Sequence, residues 1–149
     1  MALASGAVTK SSGSSVNHVV DGAQITTGSF SASGDIDTAF SNSDGYLWCD
    51  VVLTYERAAA GSAGLTVVLY RRYLDIVSTN DEPIPDANFK GELVRAKVSD
   101  NVTGLQYAVF ENIWIGGRPC EFYVENLTGQ TISNTWDLTI LPWTYVAAS

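Results

Sequence analysis

The sequence predicts an all-β fold: a jelly-roll-like antiparallel β-sandwich of seven to eight strands with an extended N-terminal arm. Three observations carry that expectation. Apolar residues recur at a spacing of two in one segment after another; no stretch of useful length repeats at the 3.6-residue spacing of a helix; and turn residues separate the segments at regular intervals. Period two is what a half-buried strand requires, because successive side chains leave opposite faces of a sheet. A sheet with one apolar face needs a second layer over it, which implies two sheets packed face to face. At 149 residues the chain is one domain of ordinary size. A compact chain of that length buries roughly 70% of the surface it exposes when unfolded.

Residues 1–22 differ in character from the rest of the chain. Half of them are Ala, Ser or Gly, and the apolar residues Leu3, Val8, Val16, Val19 and Val20 are scattered. Such a segment alone buries too little surface to offset the entropy of ordering it, and it reads as an arm preceding a sandwich domain at 23–149. The arm lies either on its own sandwich or along a neighbour. Ala23–Ser31 reads as a short strand marked by Ile25 and Phe30, and Ser33–Gly45 as a loop. Tyr46–Glu56 is the strongest single strand. Leu47, Cys49, Val51, Leu53 and Tyr55 form one face, and Tyr46, Trp48, Asp50, Val52 and Thr54 the other. That second face is too aromatic for open solvent, so the arm, a loop or another subunit should cover part of it.

Leu65–Leu74 is a partner strand after a small-residue turn at Ala58–Gly64; its consecutive Arg71 and Arg72 point to opposite faces. Val77–Gly91, with Pro83, Pro85 and several carboxylates, is a long surface loop. Leu93–Val98 alternates again, Asp100–Gly104 turns, and Leu105–Ile115 is a strand that loses phase near Glu111 and Asn112, where a bulge is expected. Cys120–Leu127 and Thr135–Ile140 alternate most cleanly and read as an antiparallel pair joined by a loose loop. Phe122, Val124, Trp136, Leu138 and Ile140 face inward, and Glu121, Tyr123, Glu125 and Asp137 face solvent. Pro142 cannot donate to a ladder, which places Leu141–Val146 at an edge or outside the sheet.

Sixteen Asp and Glu against eight Lys and Arg leave a formal charge of −8, with no basic run. A phosphate backbone or an anionic membrane surface would be repelled, so nucleic acid and membrane are not expected partners. The N-terminus lacks the charged start and apolar core of a signal peptide, which points to synthesis in a reducing cytoplasm and to Cys49 and Cys120 as free, buried thiols. The sole histidine, His18, sits in the polar arm and reads as solvated, with no nucleophile motif nearby. One histidine and two distant cysteines do not make a zinc site. The oxygen-rich runs Asp35/Asp37 and Asn80/Asp81/Glu82/Asp86 read as solvated loop tips and not calcium loops. No metal, cofactor or catalytic set is expected. Asn101-Val-Thr and Asn126-Leu-Thr match the glycosylation pattern by chance. The aromatic residues say more. Trp48, Trp114, Trp136 and Trp143, with Tyr46, Tyr107, Tyr123 and Tyr145, exceed what one small core needs, and exposed aromatic patches mark protein interfaces or sugar platforms.

Across Tyr46–Tyr145, about two thirds of the chain, the sequence resembles small capsid cement, or decoration, proteins of tailed bacteriophages. The likeness is clearest in Glu121-Phe-Tyr-Val-Glu-Asn-Leu-Thr-Gly-Gln-Thr-Ile and in Leu138-Thr-Ile-Leu-Pro-Trp-Thr-Tyr. The resemblance implies a jelly-roll sandwich that is not an enzyme, needs no cofactor, and sits in the virion on the exterior of an icosahedral shell. There it would bridge subunits of the major capsid protein and associate with its own copies as a homodimer, with a trimer as the alternative. The residues expected at the partner interface are Leu3, Val8, Val16, Val19, Val20, Tyr46, Trp48, Trp143 and Tyr145. The competing expectation is a carbohydrate- or receptor-binding module of a phage fibre or spike, with Trp114, Trp143 or Tyr145 as a stacking platform.

Overall fold

A computed structural model describes residues 7–60, 65–78, 80–98 and 103–147. Leu3, Asn101 and parts of the turns at Ala58–Gly64 and Asp100–Gly104 lie outside them. Eight strands are present: β1 (Val8–Ser12), β2 (Val16–Gly22), β3 (Trp48–Tyr55), β4 (Thr66–Tyr73), β5 (Glu92–Val98), β6 (Gln106–Trp114), β7 (Cys120–Leu127) and β8 (Trp136–Ala147), with one 3-10 turn at Ser33–Asp35. They form two antiparallel sheets. In the five-stranded sheet β8 lies next to β3 and β3 next to β6, while β1 and β2 share the other side of β8; the second sheet runs β5-β4-β7.

The segment 25–40 completes the second sheet irregularly. Bridges Phe30↔Glu125 and Phe40↔Cys120 set it against the free side of β7. With it in place, the pairs β2–β8, 25–40 with β7, β3–β6 and β4–β5 are successive rungs of one long antiparallel hairpin folded over on itself. That is the jelly-roll arrangement. The expected all-β, antiparallel sandwich of eight strands holds.

The alternation in the sequence becomes the inside and outside of the sandwich. Along β3, Cys49, Val51, Leu53 and Tyr55 are buried, while Trp48, Asp50, Val52 and Thr54 are half-buried on the outer face. Along β6, Ala108 and Phe110 point inward and Tyr107 and Val109 outward. The expected bulge falls at Glu111-Asn112: the β3–β6 register slips between Cys49 and Val51, and Asn112 takes φ 57°. Its N–H donates to Asp50 Oδ1 at 2.8 Å, which satisfies the donor that the bulge takes out of the ladder. Val67, Leu69, Phe122 and Val124 meet Val51, Leu53, Phe110, Trp136, Leu138 and Ile140 between the sheets.

Four expectations are corrected. First, residues 8–22 are not an arm. They form β1 and β2, both antiparallel to β8, with Val8 opposite Ala147 and Val16 opposite Ile140. β1 is held by its backbone ladder to β8, and β2 by that ladder together with the buried His18 and Val19, which are consecutive residues and so give no period-two pattern. Second, β7 and β8 do not pair. β7 lies beside β4 and β8 beside β3, so the connection between them crosses from one sheet to the other. Alternation tells which side of a strand is inside and is silent about its neighbours.

Third, Pro142 sits within a central strand. Its carbonyl accepts from Gly13 N–H at 2.9 Å, opposite the gap where β1 gives way to β2. In an antiparallel ladder a residue's N–H and C=O face the same neighbour, so the donor that Pro lacks would have pointed into that gap. Fourth, the outer side of β7 is covered, not solvated. Tyr123 and Glu125 are buried. Glu125 accepts from Tyr70 Oη at 2.7 Å and Lys90 Nζ at 3.1 Å; Arg72 holds Glu121 at 2.8 Å and Asp81 at 3.1 Å, tying the long loop after β4 across this face. Arg71, on the inner side, bonds Glu92 and the Trp114 carbonyl.

Candidate functional site

The outer face of the five-stranded sheet carries a row of aromatic rings across three neighbouring strands. Register places Trp48 of β3 directly opposite Trp143 of β8 on one side and Trp114 of β6 on the other. Adjacent strands lie about 4.8 Å apart, so three indoles in one row must touch. Trp48 and Trp143 run nearly parallel at 12° with centroids 5.7 Å apart, and Trp114 meets Trp48 edge-on at 4.9 Å. Tyr145 closes the other end, edge-on to Trp143 at 5.3 Å.

Polar groups beneath the row fix it in place. Asp50 Oδ1 accepts from Trp143 Nε1 at 3.1 Å as well as from the Asn112 amide, and Asp50 Oδ2 faces Lys10 Nζ at 3.3 Å. The same Lys10 ammonium lies 4.3 Å from the Trp143 ring, a cation–π contact with the residue diagonal to it on β8, Tyr145 being the one directly opposite. β1 therefore supplies the charge, β3 the carboxylate and β8 the ring that both address. Trp143 is left only 3% exposed, while Trp114 and Tyr145 are 47% and 56% exposed. Around them Val8, Leu141, Val109 and Tyr107 are also exposed, and the patch extends over β1, β8, β3 and β6. No loop among the described residues crosses it.

The described residues expected at an interface fall in three places. Trp48, Trp143, Tyr145 and Val8 belong to this face. Val20, on β2, is exposed on its own. Val19 is a buried core residue, while Val16 and Tyr46 pack partly against the core and line a shallow cleft away from this face. Tyr46 misses the outer face because it precedes the first ladder pair of β3. Lys10, Asp50 and Trp114 complete the row and are absent from the expected interface set; only the cross-strand register, which period-two alternation does not reveal, joins them to Trp48 and Trp143.

Other expected features fall elsewhere. His18 is fully buried, not solvated. Its Nδ1 lies 2.7 Å from the Thr38 carbonyl, its Nε2 accepts from Phe122 N–H at 3.0 Å, and its own carbonyl accepts from the Asp37 and Thr38 amides. Cys49 and Cys120 are free and buried, and burial pushes both thiols up, Cys120 to about 12. Asn126 is buried, with its amide on the Ile25 and Gln130 carbonyls, and presents nothing for glycosylation. A shallow cleft of about 270 Å³ lies between Ser14–Val16 and Thr38–Tyr46. Its Asn42 side chain is engaged internally with the backbone of Tyr46 and Arg118. Among the described residues no group of three or more His, Cys, Asp or Glu is placed to hold a metal ion. No helix among them is long and apolar enough to cross a membrane. No family model, no curated protein and no solved structure matches this chain.

Proposed function

We propose that this chain is a non-catalytic assembly protein that docks through the outer face of its five-stranded sheet onto the exterior of an icosahedral phage capsid. Its partner there is the major capsid protein, and it serves as a cement or decoration subunit that also associates with its own copies. One observation supports the docking face above all: a row of four aromatic rings, locked by Asp50 and Lys10, whose two end rings, Trp114 and Tyr145, stand about half exposed on the sheet face. Interface cores are enriched in Trp and Tyr and depleted of charge, and energetic hot spots concentrate in such rings. Holding the rings in place before contact removes part of the ordering cost of binding. The assignment of the partner as a capsid rests on the sequence resemblance over Tyr46–Tyr145.

Ring geometry weighs against the sugar platform. A stacking platform offers neighbouring open ring faces, whereas Trp143 is almost wholly covered and the other two rings of that reading, Trp114 and Tyr145, stand at opposite ends of the row, each edge-on to its neighbour. The test is electron cryomicroscopy of particles from the native source, before and after stripping and re-addition of the purified chain. Density for a sandwich seated on the shell by its aromatic face is expected, and occupancy should fall in a Trp114→Ser/Tyr145→Ser variant that stays folded. Particles without the chain, or full occupancy by the variant, would overturn the proposal. Deletion of residues 1–22 is not a usable test, because it removes β1, β2 and the core residue Val19 along with Lys10.

A further inference from the structure

A sheet that is not closed into a barrel has edges, and each edge strand shows unpaired N–H and C=O groups that can pair with another chain. Folded proteins usually blunt such edges with charge, proline, bulges or covering loops. Most edges here are blunted. β5 carries Glu92, Arg95 and Lys97 within seven residues. β1 and β2 are short, broken at Gly13–Ser15, and β2 slips register twice against β8. The edge beside β7 is the irregular segment 25–40.

β6 is the exception. It is nine residues long, Gln106–Trp114, and among the described residues it pairs with β3 alone. Its one charged residue, Glu111, lies at the bulge, and Arg71 caps the Trp114 carbonyl beyond it. No turn or loop hydrogen bond ends on Tyr107–Phe110 among the described residues. This open stretch is Tyr-Ala-Val-Phe, with Tyr107 66% exposed and Val109 exposed beside it.

We infer that β6 is a homotypic pairing edge: a second copy of this chain adds its own β6 antiparallel to it, about a two-fold axis at Ala108. The register follows from self-complementarity. With Ala108 opposite Ala108 of the second copy, each Tyr107 faces the other copy's Val109, giving two aromatic–β-branched cross-strand pairs on the outer face. Glu111 falls opposite Leu105, so no like charges oppose each other, which matters between molecules of charge −8 each. β5 is the poorer edge, because pairing it with itself would bring Glu92, Arg95 and Lys97 of both copies into the joint, three charged side chains from each. The two five-stranded sheets become one continuous sheet, and their aromatic rows lie on the same side. The inference refines the self-association in the docking proposal, but it is measured in solution and does not need a capsid.

The full chain should show concentration-dependent mass in sedimentation velocity, rising from 16.0 kDa toward twice that value. The dimer should strengthen as salt screens the charge. Tyr107→Lys/Val109→Lys should weaken it about tenfold or more, with an unchanged circular dichroism spectrum and melting temperature, since both side chains already face solvent. Val20→Lys, at the opposite side of the same sheet, should leave it unchanged. Tyr107→Cys/Val109→Cys should trap a disulfide-linked dimer under a glutathione redox buffer, because the thiol introduced at position 107 of each copy would face the one at position 109 of the other. A monomer at every concentration, a dimer indifferent to the lysines, or failure of the double-cysteine variant to cross-link while the wild type dimerises would each overturn the inference. The cross-link between positions 107 and 109 is specific to the edge and does not depend on the docking face, whose failure is read separately as lost shell occupancy in the Trp114→Ser/Tyr145→Ser variant.

Discussion

Lowering the pH below neutrality should loosen this protein through one residue, His18. Both of its ring nitrogens have fixed roles. The Thr38 carbonyl can only accept, so Nδ1 carries the proton; the Phe122 N–H can only donate, so Nε2 must be bare. Protonation puts a second N–H against that of Phe122 and a charge in a site with no exposure to water. Burial accordingly holds the imidazole below the usual histidine range, against the opposing pull of its bond to Thr38 and of the Glu121 and Asp37 carboxylates.

The sign follows from proton linkage. Below about pH 6.5 the unfolded chain takes up a proton that the folded chain refuses, so folding stability is complete above that pH and falls as the medium is acidified toward the folded-state value. An imidazole that stays neutral in the fold while the unfolded one charges loses about 1 kcal/mol of stability over the first pH unit of that descent. In a domain of this size that lowers the melting temperature by about 3 °C. His18 is the only histidine, so no other imidazole contributes. The assay is thermal unfolding of the wild type and of His18→Gln from about pH 8 to about pH 5, the variant carrying every carboxylate and no imidazole. The difference between the two curves should bend near the ordinary histidine pKa of about 6.5 and grow on acidification. Parallel curves would refute the reasoning, as would an imidazole that titrates at that ordinary value by NMR in the folded protein.

Three further outcomes follow from packing. Neither Cys49 nor Cys120 should react with an aromatic disulfide reagent in the native protein at about pH 8, and both should react after unfolding in guanidinium, since the two thiols are buried and pushed up. Gly22→Ala should lower the urea midpoint by the equivalent of about 1–3 kcal/mol, because an added Cβ would lie 2.3 Å from the Trp136 indole, itself pinned by its 2.6 Å bond to the Ala23 carbonyl. Arg72→Met should free the loop after β4, read as faster proteolysis between residues 80 and 91, because it removes the bonds to Glu121, Asp81 and the Glu82 carbonyl together.

What is legible in the chain is whatever a strand writes into its own side chains. β3, β4, β5, β6, β7 and the first half of β8 all announce themselves by alternation, and the slip at Glu111-Asn112 is visible as a lost phase. β1 and β2 do not, since Val-Thr-Lys-Ser-Ser is held by hydrogen bonds to β8 that exist only once β8 is in the sheet. His18 escapes a sequence reading for the same reason: a polar neighbourhood in sequence is a buried one in space, with partners at Thr38 and Phe122. The site is half legible. Surplus tryptophan and tyrosine signal an aromatic surface, but which rings share it depends on the registers Trp48↔Trp143 and Trp48↔Trp114.

The two outer faces of the sandwich are treated unequally, and that inequality favours a partner for one of them. On the three-stranded sheet the outward residues Arg72, Tyr70, Glu121 and Glu125 are tied to one another and to Asp81 and Lys90 on the loop that crosses them. That loop covers the smaller sheet. On the five-stranded sheet the comparable ties among the described residues, Asp50 to Trp143 and Lys10, act within the face and hold its rings still without shielding Trp114, Tyr145, Val8 or Tyr107. Fixed rings left bare gain little for the isolated fold, because exposed ring surface forgoes the roughly 25 cal/mol per Å² that burial would give. They become favourable when a second surface covers them, and the same face borders β6, whose stretch Tyr107–Phe110 has no ladder partner other than β3 among the described residues. On this reading the sandwich is stable through its inner faces and sociable through one outer face and one edge: Trp114 and Tyr145 report the face alone, Tyr107 and Val109 border both, and the cysteine cross-link between positions 107 and 109 reports the edge.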